Sequence, residues 1–164
     1  MNDLNRLENQ MHDILDRIDF QNITKHPNIL IAANFWEEER YRAAKVCYRF
    51  MRTVDDMIDD RKAGAATISC LEKETFIENV QKWIDCLTSR NPDDQNIKEI
   101  NGTIDTYKIP VRLFHDFAMS MIHDINHDGF STFSEFLEYS EGASVAPASV
   151  FVHLCCLTKQ TYVV

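Results

Sequence analysis

Apolar residues recur at helical spacing along nearly the whole chain, and no stretch alternates apolar and polar residues for long. Glycine and proline are both scarce, with four residues each, so few positions are suited to interrupt a helix. This pattern predicts an all-α protein in which Pro147 breaks or kinks the last helix. The predicted helices are an amphipathic stripe at 4–18 and segments at about 29–60, 69–87, 97–107 and 110–124.

The composition limits the class of protein. The 164 residues correspond to a single domain, 1–164, and 45% of them are hydrophobic, which is enough for a packed core. The net charge of −9 argues against non-specific binding to nucleic acid, although metal ions could still mediate contact with an anionic ligand. The sequence has no signal-peptide pattern, and its longest weakly polar stretch, 142–157, is too short to span a membrane.

The five cysteines lack the spacing of a metal site, and Cys155 directly precedes Cys156. An odd number of cysteines without a disulfide pattern favours buried free thiols in a reducing compartment. We therefore expect a cytoplasmic protein without disulfides.

The segment CYRFMRTVDDMIDD, at 47–60, gathers aspartates at the end of a predicted helix. Like charges one turn apart repel each other, and the helix dipole is already negative at this end, so the cluster is costly for folding alone. Two carboxylates one turn apart suit Mg²⁺, and an arginine suits a phosphate. One helix stripe consists of Tyr48, Arg52, Asp55 and Asp59, and the opposite stripe, expected to face the core, consists of Val46, Phe50, Val54 and Met57. A solvated helix end, partly neutralised by Arg61 and Lys62, is the alternative.

The wider segment YRAAKVCYRFMRTVDDMIDD, at 41–60, resembles the first aspartate-rich segment of squalene and phytoene synthases, the head-to-head prenyl synthases. The family pattern is an aromatic-rich helix with an arginine, followed by a DxxxD motif. It is matched here by Tyr48, Arg52, Asp55 and Asp59. The resemblance covers about 29–157 and implies the all-α isoprenoid-synthase fold, in a bundle that is incomplete relative to the family.

This resemblance implies a prenyltransferase that joins two allylic prenyl diphosphates head to head, with farnesyl or geranylgeranyl diphosphate as substrate. The implied cofactor is Mg²⁺, held by Asp55 and Asp59 through the DxxxD motif. Mn²⁺ in place of Mg²⁺, use of NADPH and peripheral contact with a membrane stay open. The implied catalytic residues are Asp55, Asp59, Tyr48 and Tyr139, and the implied substrate-binding residues are Arg52 and Asp56.

A later segment, MIHDINHDGFSTFSEFLEYSEGASVAPAS at 121–149, also follows the layout of the family. The family-like positions are Asp124, Phe133, Glu135 and Tyr139. Two features depart from the family pattern, because Gly142 stands at the second aromatic position and ASVAPA replaces the run VAGxVG. The small residues predict either close helix packing or space for an isoprenoid tail.

The same segment contains DINHDGFSTFSE, at 124–135, which spells most of an EF-hand calcium loop. The candidate calcium ligands are Asp124, Asn126, Asp128 and Glu135. Against calcium, Ser131 stands where such loops normally have an aliphatic residue, and the sequence has no second loop of this kind. Thr132 and Glu135 also form a capping-box pattern, which would point the Glu135 carboxylate at the Thr132 amide. A calcium-binding module is therefore the second hypothesis.

The family's second aspartate-rich helix has no counterpart after Leu157 in this sequence. In the family, that helix faces the first across the cavity and holds the remaining magnesium ions. We therefore expect either an N-terminal portion of such an enzyme or a chain whose missing part is supplied elsewhere, with the two-sided magnesium clamp incomplete in these residues. A non-catalytic helical domain, whose acidic helix end binds a basic partner, is the third hypothesis.

Overall fold

This computed structural model describes residues 28–64, 68–89 and 94–156, and every element in them is helical. The all-α prediction is confirmed. The elements are α1 (Asn28–Ala33), α2 (Glu38–Gly64), α3 (Cys70–Ser89), α4 (Gln95–Tyr107), α5 (Val111–Asn126), α6 (Phe133–Ser140), a π-helical turn (Glu141–Val145) and α7 (Ala146–Cys156). None of the described helices is both long and apolar enough to cross a membrane. The predicted stripe at 4–18 lies outside the described residues.

The chain divides into two compact units, Met1–Lys45 and Val46–Val164. In the first unit, the helix predicted from about 29 onwards is interrupted, because Trp36 donates its amide to the Ala33 carbonyl in a tight turn at 2.9 Å. A new helix then begins at Glu38, where acidic residues in the first turn complement the helix dipole. One continuous helix from 29 to 60 was therefore a wrong prediction, whereas the single-domain organisation stays a prediction.

In the second unit, α5 is the central helix, and α3, α7 and the π-helical turn pack against it. An aromatic group joins α2 to this core: the Phe50 ring stacks on Trp83 with centroids 4.4 Å apart and meets Phe114 edge-on at 5.8 Å. The Trp83 indole N–H also donates to the Phe50 carbonyl at 3.0 Å, so its polar group is satisfied. These contacts fix which side of α2 faces inward.

The buried stripe of α2 is rotated slightly from the predicted one. It consists of Cys47, Met51, Val54 and Ile58, whereas Val46, Phe50 and Met57 are only half-buried. Both sets lie within one apolar stripe, which on a globular-protein helix is more than about 100° wide. Tertiary packing therefore selected one edge of that stripe, and the aspartates keep the opposite side as predicted.

Helix starts follow their local signals closely. At the start of α3, the Glu72 carboxylate accepts a hydrogen bond from the Ser69 amide at 2.9 Å, and the Glu72 amide donates to Ser69 Oγ at 3.3 Å. The two residues thus form a capping box, as the pattern Ser69-x-x-Glu72 in the sequence predicts. Arg61 adds a hydrogen bond to the same carboxylate at 2.8 Å. The Ser69 side chain, then the Ser69 amide, then Arg61 lower the Glu72 pKa to about 2.

Two other predictions need correction. The irregularity expected at Pro147 lies just before it, in the π-helical turn, and α7 continues through Pro147. Pro147 occupies the first turn of α7, where a missing amide hydrogen costs least. The expected burial of the free thiols holds for Cys47, whose pKa is raised to about 12 by burial, but Cys70 and Cys155 are exposed.

Candidate active site

The aspartate-rich end of α2 is organised by one arginine. The guanidinium of Arg52 donates one hydrogen bond from Nη1 to Asp55 Oδ2 and one from Nη2 to Asp56 Oδ1. The two carboxylates follow Arg52 by three and four residues, the spacings at which helix side chains meet. Asp59 lies one further turn along, is exposed, and forms no ion pair with another described residue. We call Tyr48, Arg52, Asp55 and Asp59 the aspartate face of α2.

Tyr48 lies one turn before Arg52 and is half-buried. Burial raises the pKa of its phenol, the Asp55 charge raises it further, and the Arg52 charge partly opposes the rise. The phenol is therefore protonated at neutral pH. Tyr48 thus presents a neutral hydroxyl on the same face as the carboxylates.

A second polar group forms where α5 ends. The Tyr139 hydroxyl of α6 donates to Asp124 Oδ2 at 2.7 Å. Lys62, from the last turn of α2, lies 3.8 Å from Asp124 Oδ1 and donates to the His127 carbonyl at 3.3 Å. Lys73 donates to the Asn126 carbonyl at 3.4 Å, so two cations complement the negative end of the α5 dipole. Asp124 therefore links α2, α5 and α6.

Tyr139 lies within electrostatic reach of the aspartate face. Its pKa is raised first by burial, then by the hydrogen bond to Asp124 and the charge of that carboxylate, and further by the charges of Asp55 and Asp59. The structure thus places Tyr139 near two residues that lie about eighty positions earlier in the sequence. Like Tyr48, it stays protonated at neutral pH.

The close approach of α5 gives a structural reason for a glycine at position 142, where the sequence departs from the pattern expected for the family. A Cβ atom at this position would lie 1.9 Å from Ser120 Oγ and 2.4 Å from the Asp116 carbonyl oxygen of α5. Ser120, which is buried, donates to the Tyr139 carbonyl at 3.2 Å. An aromatic side chain at 142 would therefore require α5 to move. Close packing, the first of the two predictions for the small residues, applies at this position.

Two of the four candidate calcium ligands, Asp124 and Glu135, use their carboxylates in hydrogen bonds within the protein. The Glu135 carboxylate accepts the Ser131 amide at 2.7 Å, and Thr132 Oγ1 accepts the Glu135 amide at 3.2 Å. The N-cap at Thr132 is thus as predicted, but the Glu135 carboxylate bonds the amide of Ser131 and not that of Thr132. Asn126 donates to the Ile122 carbonyl at 3.1 Å, and Asp128 is exposed.

No group of three or more His, Cys, Asp or Glu residues is placed to hold a metal ion in the described parts of the chain. Magnesium needs only one or two carboxylates when phosphate and water complete its coordination, whereas calcium in an EF-hand needs several protein oxygens at once. Metal binding at either place stays a prediction, and the geometry fits the first requirement better than the second.

A groove of about 520 Å³ opens beside Tyr139, between α5 and the segment formed by α6 and the π-helical turn. Its lining includes four carboxylates, which belong to Asp116, Glu135, Glu138 and Glu141. Neither lysine nor arginine is among the described lining residues of this groove, so its local charge is negative.

The adjoining surface carries exposed apolar rings. Phe133 is 73% exposed, α6 has no buried residue, and the Phe130 and Phe136 ring centroids lie 5.4 Å apart. Peripheral contact of the protein with a membrane stays a prediction.

Sequence reasoning missed two residues of this region. Ser120 carries no motif, and only its position opposite a glycine in the folded chain reveals its hydrogen bond to the Tyr139 carbonyl. Lys62 was expected to neutralise its own helix end, whereas it pairs with Asp124 of α5.

Comparison with known proteins agrees with the motif analysis. A sequence model of one protein family, described as squalene/phytoene synthase, matches residues 24–160 and so includes both the aspartate face and Tyr139. No curated protein and no solved structure matched the chain.

Proposed function

This chain belongs to the squalene/phytoene synthase family, and we propose that it takes part in Mg²⁺-dependent head-to-head condensation of two allylic prenyl diphosphates. The observation that carries this proposal is the aspartate face itself. Two carboxylates and a guanidinium share one side of α2, and the Tyr139 phenol lies within reach of their charges.

The residues present fit a magnesium ion. Asp55 and Asp59 offer hard oxygen ligands one helical turn apart, and Mg²⁺ typically binds one or two carboxylates together with substrate phosphates. Asp59 is exposed and the Asp55 side chain retains 29% of its accessible surface, so both can be approached from solvent. Bound at these residues, Mg²⁺ would offset the charge of the departing diphosphate.

Arg52 supplies the second element of diphosphate recognition. Its guanidinium can hold two phosphate oxygens at once, which orients the diphosphate as well as attracting it. In the family's reaction, the bond between C1 and the diphosphate oxygen breaks with the electron pair leaving on the diphosphate. The double bond of the second substrate provides the electrons for the new carbon–carbon bond, and a proton is lost.

The two phenols suit the surroundings of an allylic cation. Because burial and nearby carboxylates raise the pKa values of Tyr48 and Tyr139, neither adds a phenolate nucleophile that would capture the cation. Their aromatic faces can stabilise positive charge. The hydrogen bond to Asp124 holds the Tyr139 hydroxyl in place before substrate binds.

Binding of a prenyl diphosphate analogue tests the proposal directly. We expect the chain to bind farnesyl or geranylgeranyl thiolodiphosphate, which ionises very slowly, in a saturable manner with Mg²⁺ and far more weakly with EDTA. Calorimetry gives the affinity, and release of pyrophosphate from the natural diphosphates reports turnover. Equal binding with Mg²⁺ and with EDTA, or no binding of either analogue, would reject the proposal.

A further inference from the structure

Arg52 forms an ion pair with Asp55, one of the two carboxylates proposed to bind the metal. Its side chain is only 17% exposed and contacts both Asp55 and Asp56, whose side chains are 29% and 37% exposed. A pair that is partly withdrawn from water is screened less than a surface pair. The guanidinium and an incoming divalent cation would therefore compete electrostatically for the Asp55 carboxylate.

We propose that Arg52 is an internal counterion that keeps the Mg²⁺ affinity of Asp55 and Asp59 low until a diphosphate binds. Phosphate oxygens then accept the hydrogen bonds of the guanidinium. Arg52 moves away from Asp55, and the Asp55 carboxylate can bind the metal. Metal and diphosphate bind cooperatively as a result. This inference rests on the proposed function, because it takes Asp55 and Asp59 as the metal ligands.

The geometry explains why an arginine suits this task. A guanidinium presents its N–H groups in a planar fork, which can bridge two carboxylates in the absence of ligand and a phosphate in its presence. The carboxylate and the phosphate both present oxygen acceptors, so the same N–H groups of Arg52 can bond first to one and then to the other. Since Arg52 lies on the same helix as Asp55, exchange requires only side-chain rotation and no movement of the backbone.

Thermodynamic linkage makes the coupling reciprocal. If diphosphate raises the Mg²⁺ affinity by some factor, Mg²⁺ raises the diphosphate affinity by the same factor. A mutation that removes the Arg52 charge should therefore tighten binding of Mg²⁺ alone while it weakens the cooperativity.

The test is calorimetric titration of the full 164-residue chain with MgCl₂ in a buffer without phosphate. Arg52→Gln should bind Mg²⁺ at least about tenfold more tightly than the unmodified chain, within the usual range of coupling between sites. Arg52→Lys, which keeps the charge, should restore weak binding. Asp59→Asn provides the baseline for non-specific binding to this acidic protein, and circular dichroism verifies that each variant is helical.

Arg49→Gln is the matched control. Arg49 lies on the same helix and pairs with Glu99 at 3.1 Å, but its side chain is 65% exposed, so solvent screens its charge. Removing it should change the Mg²⁺ affinity by less than about twofold.

The outcomes separate this inference from the proposed function. Equal or weaker Mg²⁺ binding by Arg52→Gln would overturn the counterion role, as would an Arg52→Lys variant that behaves like Arg52→Gln. If neither the unmodified chain nor Arg52→Gln binds Mg²⁺, even with saturating inorganic pyrophosphate, the proposed metal site itself is overturned. Tighter Mg²⁺ binding by Arg52→Gln than by the unmodified chain, with the affinity of Arg49→Gln unchanged, supports both the counterion role and the proposed metal site.

Discussion

Two acidic segments of this chain contain similar residues and use them differently. On the aspartate face of α2, the carboxylates of Asp55 and Asp59 project from one side of a regular helix, and the Arg52 guanidinium is a partner of Asp55. In the segment 124–135, Asp124 is bonded to Tyr139, and Glu135 is bonded to the Ser131 amide. In the first segment Asp59 stays exposed to solvent, whereas Asp124 and Glu135 of the second segment hold other parts of the chain in place.

The difference follows from backbone conformation. A helix satisfies its own backbone groups except at its ends, so side-chain carboxylates in its body are available to other partners. An irregular segment has unpaired amides, and nearby Asp, Glu, Ser and Thr side chains bond to them. A spacing of oxygen-bearing residues therefore predicts a metal site only if the local backbone does not need those oxygens.

The largest difference between the two segments should appear in metal affinity when one acid in each is neutralised. Asp59→Asn removes a proposed metal ligand. The loss of even an outer-shell partner lowers metal affinity by about 10–100-fold, so we expect this variant to lose at least about 100-fold in Mg²⁺ affinity. Asp128→Asn, in the exposed part of the loop, should change Mg²⁺-dependent binding of a prenyl thiolodiphosphate by less than about twofold. Equal effects of the two variants in calorimetry would break the comparison.

The next effect concerns the packing that positions Tyr139. Gly142→Ala places a methyl group against Ser120 Oγ and the Asp116 carbonyl oxygen, so we expect a loss of about 1–3 kcal/mol in the free energy of unfolding. Gly102→Ala is the control, because nothing lies within 4 Å of its Cβ position in α4. That variant should gain about 0.5–1 kcal/mol from helix propensity. Urea denaturation measures both, and a neutral Gly142→Ala would contradict the close approach of α5.

Asp124→Asn should disturb the tether between Tyr139 and Lys62. Loss of the carboxylate charge lowers the Tyr139 pKa towards the ordinary tyrosine value, because the hydrogen bond and the charge of Asp124 both raise it. The free energy of unfolding should fall by about 1 kcal/mol. Ultraviolet titration of tyrosinate, with Tyr139→Phe as the reference, reports the pKa.

The same variant examines the calcium hypothesis. We expect calorimetry with millimolar Ca²⁺ to give the same weak, unsaturated heats for the unmodified chain and for Asp124→Asn. A stoichiometric isotherm that Asp124→Asn abolishes would instead establish the loop as a calcium site.

The smallest effect concerns the capping box of α3, where a carboxylate likewise bonds to an amide. The Glu72 pKa is lowered from 4.5 to about 2, chiefly by Ser69, so the ionised form stabilises the folded state. This contribution is complete above about pH 4.5 and disappears as the pH falls towards 2. The free energy of unfolding of Glu72→Gln, measured by urea denaturation, should therefore vary less with pH across this interval than that of the unmodified chain. Glu74→Gln, an exposed neighbour, controls for the lost charge, and identical pH profiles for Glu72→Gln and the unmodified chain would contradict the assignment.

Local features of the fold were predictable. The capping box at Ser69 and Glu72, the N-cap at Thr132 and the position of the aspartates on the solvent side of α2 all agree with the structure. The break between α1 and α2 was not predicted, because 34–37 contains neither glycine nor proline. The buried edge of α2 was also misplaced, since periodicity defines a stripe and only tertiary packing decides which part of it is covered.

The sequence by itself determined the all-α class, the capped starts of α3 and α6 and the aspartate face, because helix periodicity and capping involve groups only three or four residues apart. Only the tertiary structure decided what Asp124 does. Its partners Tyr139 and Lys62 lie on other helices, and the Tyr139 hydroxyl reaches it across fifteen positions of the chain. Gly142 is a similar case, since its lack of a side chain has a physical reason only when α5 lies against it. Contacts between distant segments depend on how helices pack, and no local spacing encodes that packing.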